Sequence, residues 1–124
     1  MSRKIDAEQN NEKWFQGKYF EDCVSDPEFQ EIARNFVCGD VLEQNCLSDK
    51  QKLLVMLTAL ITCQTYSSIA AYTLAALQSG AASEEIKETV YQCAPYIGME
   101  KVRCALVEVN RAFRQAGVSD MTEK

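Results

Sequence analysis

The chain has 124 residues, 47% of them hydrophobic, with five Gly, two Pro and a formal net charge of −5. That length suits a single domain with its own core, and the composition excludes the disordered, collagen-like and low-complexity classes. Its 13 bases form no basic cluster, so no nucleic-acid partner is expected.

Residues 1 to 12 are polar and expected to be loosely ordered. They contain no apolar h-region, which removes a secretory leader and points to a cytoplasmic protein with reduced thiols. Trp14, Phe15, Tyr19 and Phe20 follow as an aromatic packing clasp. Asp26 then caps a helix with Pro27 at its first position, and Phe29, Ile32, Ala33, Phe36 and Val37 recur at helical spacing until Gly39 ends it. Ser48 with Gln51 reads as a capping box for the next helix, which runs through Leu53 to Cys63 with every face apolar and is expected to be buried all round. Ser67 or Ser68 caps a fourth helix, over 67–79, carrying alanine at 70, 71, 75 and 76, with Gly80 beyond its end. Ser83 caps a fifth, where Ile86, Val90, Cys93, Ala94 and Ile97 continue the stripe, Pro95 kinks or shortens it and Gly98 closes it. Val102, Ala105, Leu106, Val109, Ala112, Phe113 and Ala116 mark the last helix, and the polar tail 118–124 is expected to be loosely ordered. No run alternates with a strand's period. The fold class is therefore all-α, about six helices in one domain over 1–124.

Of 31 charged residues, none lies between Leu53 and Ser83. The 11-residue apolar run inside this window falls short of the ~20 a membrane span needs, so no membrane association is expected. Two neighbouring charge-free helices are hard to bury within one small chain, and subunit contacts are the expected cover, giving an obligate homo-oligomer. The six cysteines show no C-x-x-C spacing and the chain has no His, so neither a zinc site nor a redox dithiol has its ligands. No metal and no cofactor is expected, and each cysteine reads as a small buried apolar residue.

A family resemblance rests on particular residues. Gly80, Ser83, Glu85-Ile86 and Glu88, followed by Ala94-Pro95-Tyr96-Ile97-Gly98, resemble the carboxymuconolactone decarboxylase family, which includes the alkylhydroperoxidase D type. Gly39-Asp40-Val41, Leu47-Ser48-Asp49-Lys50 and Ala75-Ala76-Leu77 are similar to the family in order and spacing, and the likeness covers about residues 26–116. The resemblance implies an all-helical alkylhydroperoxidase-like fold assembling as a trimer or hexamer. It also implies either decarboxylation of 4-carboxymuconolactone, a lyase reaction, or reduction of hydroperoxides through a cysteine pair.

Carried over position by position, the resemblance places Leu53 where the family has a Glu, and Thr65, Ser68 and Tyr72 where the peroxidase branch has its two cysteines and His. Cys63 lies two residues before the first of these. Three readings follow. One is a decarboxylase-like enzyme with a rearranged site, using Tyr72, Cys63, Thr65 and Ser68, with Leu53, Leu57, Cys93 and Tyr96 lining an apolar pocket for a small lactone or carboxylic acid. Tyr72 is then the proton donor, since a phenol with a reference pKa of about 10 is a poor base. The second is a non-catalytic homo-oligomer that binds a small apolar molecule or a protein. The third is a thiol-based peroxidase pairing Cys63 with Cys93 or Cys46, although the C-x-x-C pair is absent.

Overall fold

A computed structural model describes residues 3–17 and 26–118. The expectations for Tyr19, Phe20, Cys23 and residues 119–124 lie outside these. The chain divides into two compact units, residues 1–48 and 49–124, and among the described residues every regular element is helical.

In the first unit, helix α1 (Arg3–Phe15) corrects the expectation of a loosely ordered start. Ala7, Asn11, Trp14 and Phe15 are buried at a helical repeat, and tertiary packing overrides the polar composition that masks this stripe. Asn10 contributes as well: its Nδ2 donates to the Cys38 carbonyl at 2.6 Å and to Glu43 Oε2 at 2.7 Å. Lys13 Nζ sits 4.5 Å from the Trp14 ring centroid, within cation–π range.

Helix α2 (Pro27–Arg34) starts as its sequence dictates. Asp26 Oδ1 accepts from the Phe29 amide at 3.3 Å, and Pro27 occupies a first-turn position whose N–H would be unpaired anyway. Gly39 does not end it. The helix runs on into a π-helical stretch, Asn35–Val41, closed by the Leu42 amide on the Val37 carbonyl at 3.0 Å. Cys38 and Gly39 are buried there, packed where α1 meets the stretch, so packing holds the glycine helical. Helix α2 itself buries no residue.

The second unit is built on helix α4 (Tyr66–Gln78), which packs against α3 (Asp49–Thr62), α5 (Ser83–Tyr91) and α7 (Met99–Gln115). Ser68, Ile69, Tyr72, Thr73, Ala75 and Ala76 of α4 are buried. Ala75 and Ala76 are small enough to let α7 approach with Ala105, Val109 and Ala112. The buried Thr73 hydroxyl is satisfied locally, donating to the Ile69 carbonyl at 2.8 Å.

Within the single chain, helix α3 is covered on one side only. Leu53, Leu57 and Ile61 face the core, whereas Val55 is 58% exposed and Ala59 is open to solvent. A lack of charge permits burial without compelling it, and the chain supplies neighbours on one side only. Helix α5 starts one residue away from its expected cap: Ala82 is the N-cap, and its amide donates to Glu85 Oε1 at 2.8 Å, while the Ser83 hydroxyl meets Glu84 Oε1 at 3.2 Å. Pro95 stands in the first turn of a short α6 (Ala94–Ile97), so the interrupted stripe becomes two helices. Gly98, at φ +98°, then turns the chain into α7.

Candidate functional site

The break between α3 and α4 is where most of the sequence candidates converge. The Thr65 amide donates to the Leu60 carbonyl at 2.9 Å and the Gln64 amide to the Ile61 carbonyl at 3.1 Å, which closes α3 with the paired bonds of a Schellman turn. Such a turn needs one residue in the left-handed region, and Gln64 fills it at φ 58°. Thr65 is the N-cap of α4, without a side-chain cap bond, so Ser67 and Ser68 lie inside the first turn instead of capping it. The Ser68 amide donates to the Thr65 carbonyl at 3.1 Å.

Consequently, the eight candidates divide by depth. Cys63 and Thr65 are exposed at the turn, whereas Ser68 and, one helical turn deeper on the same face, Tyr72 are buried. Leu53 and Leu57 form the buried face of α3, which packs on α4. Cys93 is buried after α5, and Tyr96 is 88% exposed. The hairpin therefore carries one buried hydroxyl and, a turn further along α4, one buried phenol beside apolar residues.

The thiols are not alike. Burial pushes Cys38 up to about 12, with the nearby Arg34 guanidinium offsetting only part of this, and burial also raises Cys93. Cys46 and Cys63 are exposed, contrary to the expectation of uniformly buried cysteines, and the five described cysteines are all free thiols. Among the described residues, no group of three His, Cys, Asp or Glu side chains is placed to hold a metal. Likewise, no helix is long and apolar enough to cross a membrane.

Two features escape sequence reasoning. Lys87 of α5 is only 8% exposed, and among the described residues no hydrogen bond or ion pair engages it. Set among Glu84, Glu85 and Glu88 it reads as part of a solvated face, but it lies between Ile86 and Val90 on the side that packs toward α3, α4 and α7. Its apolar stem is buried while its ammonium reaches solvent.

The other feature is a cleft of about 620 Å³ whose walls include Tyr91, Ala94, Met99, Val102, Arg103 and Leu106. None of the eight candidates lines it. Glu100 at its rim accepts from Arg103 Nε at 2.8 and 2.9 Å, which holds the Glu100 carboxyl below its usual range. Spacing of Met99, Val102, Arg103 and Leu106 by three and four along α7 is the one signal in the sequence that could have revealed it.

Residues 27–112 match the family model described as the Carboxymuconolactone decarboxylase family. No curated protein matches the chain.

Proposed function

The chain belongs to the carboxymuconolactone decarboxylase family, and from that premise we propose that it binds and acts on a small lactone or carboxylic acid held at the α3–α4 hairpin, as a homo-oligomer. The family match and the helical fold support a carboxymuconolactone decarboxylase-like or alkylhydroperoxidase-like all-α protein.

Lys87 is the observation that carries the carboxylate. Its stem is buried while its ammonium reaches solvent, with no hydrogen bond or ion pair among the described residues, and a ligand carboxylate is the group that would pair with it. The charge-free stretches of α3 and α4 supply an apolar wall for the rest of the ligand. Tyr72 would return a proton to carbon after loss of CO2, with Ser68 one turn nearer the start of α4 orienting the ligand. The thiol reading, which pairs Cys63 with Cys93 or Cys46, gains no such support at Cys93, because peroxide reduction needs a thiol lowered toward neutrality and burial raises this one.

Calorimetric titration with 4-carboxymuconolactone tests the reading. Lys87→Met is expected to weaken binding roughly tenfold to a hundredfold, the ~1.5–3 kcal/mol of a charge-assisted hydrogen bond, without lowering Tm. Tyr72→Phe should retain binding and lose CO2 release on the order of a hundredfold. Equal binding by parent and Lys87→Met would contradict the carboxylate anchor. Binding without turnover by the parent chain would instead favour the non-catalytic scaffold.

A further inference from the structure

Two apolar surfaces stand uncovered in the single chain. Phe29, Ile32 and Phe36 are 56%, 57% and 56% exposed, and their spacing of three and four puts them on one face of α2 and the helical turn that extends it. The second surface is the cleft, whose floor of Tyr91, Ala94, Met99, Val102 and Leu106 is apolar. Removing both from water is favourable at ~25 cal/mol per Å² of apolar area, and contiguous exposed apolar surface of this kind marks an interaction site.

Charge matches the two surfaces. Asp26, Glu28 and Glu31 accompany the α2 face against one base, Arg34, whereas α7 carries Lys101, Arg103, Arg111 and Arg114 against Glu100 and Glu108. Arg103, Val107, Asn110 and Arg114 recur at intervals of four, three and four, so Arg103 at the cleft and Arg114 further along α7 share one stripe. Glu100 occupies only the Nε edge of Arg103, which leaves the outward edge of the guanidinium to meet a second carboxylate.

We propose that the cleft on α7 of one copy receives the Phe29, Ile32 and Phe36 face from a second copy of this chain, with Glu28 and Glu31 facing Arg103 and Arg114. The proposal rests on the reading that the chain assembles with itself. Because the two surfaces differ, the contact repeated head to tail is heterologous and closes into a ring, whereas two copies that reciprocate it form an isologous pair. Three half-exposed side chains supply roughly 300 Å², below the ~800 Å² per partner of a stable interface, so this contact is the anchor of a wider footprint.

Light scattering on the full chain after size exclusion, across a concentration series, tests it. The parent is expected to exceed its 14.0 kDa chain mass. The double variant Phe29→Asp with Ile32→Asp, and separately Met99→Asp, should each weaken association on the order of tenfold or more with unchanged thermal melts, since all three positions are more than half exposed. An equimolar mixture of the two variants should regain association, because one retains the cleft and the other retains the face. Glu28→Arg with Glu31→Arg should also weaken it, and adding Arg103→Glu with Arg114→Glu in the same chain should restore it. A parent that associates as strongly as all these variants, or no recovery on mixing and charge exchange, overturns this interface while leaving self-assembly intact. A parent that is monomeric at every concentration overturns both.

Discussion

Gln64 holds the hairpin at its tightest point, in a conformation that glycine adopts far more easily. A non-glycine residue in the left-handed region costs about 1 kcal/mol. Gln64→Gly should therefore raise stability by roughly 0.5–1 kcal/mol, seen as a higher urea midpoint at unchanged slope. A lower midpoint would show that the Gln64 side chain makes a contact worth more than the strain. Lys87 makes a related point about single residues. Its neighbours Glu84, Glu85 and Glu88 conceal it in the sequence, because burial of a lysine depends on which way α5 faces and not on local composition. Thr65, Ser68 and Tyr72 were legible as a group, since the polar break between two apolar helices is visible without coordinates, but their division into one exposed and two buried residues was not.

At the scale of the element, helix ends were read well where a local rule decides them. Asp26 before Pro27 and the glycines at 80, 98 and 117 stand where the helices begin or stop. The start of α5 shows how such rules compete. Glu85 reaches back to the Ala82 amide and bridges to Lys50 Nζ at 3.0 Å, so the helix opens at Ser83 and not after it. The Ala82 amide first, and then Lys50, hold the Glu85 carboxyl below its usual range. A carboxyl depressed in the folded state gives stability that is present above its unfolded pKa and is lost as pH falls through its folded one. Glu85→Ala should thus lower Tm at neutral pH, and the difference from the parent should shrink as pH drops into the acid range. A pH-independent difference would assign the effect to helix propensity. Helix α1 and the π-helical stretch were illegible for a different reason: Asn10, Asn11 and Gly39 are residues of turns and loops by propensity, and only packing between the two segments makes them helical.

For the whole molecule, the absence of charge from Leu53 to Ser83 has three consequences. It lets α4 sit at the centre of the second unit, it leaves an apolar outer side on α3 at Val55 and Ala59, and it makes Lys87 the cation among the buried described residues beside those helices. These features are what the proposed assembly and the proposed carboxylate ligand rest on. The family's scaffold is retained. The most direct test is a titration of the full chain with 4-carboxymuconolactone followed by methyl NMR. Saturable shifts at Leu57, Ile61, Ile69 and Val90 are the predicted result; no saturable shift, or shifts confined to Val102 and Leu106 along the α7 cleft, would contradict it.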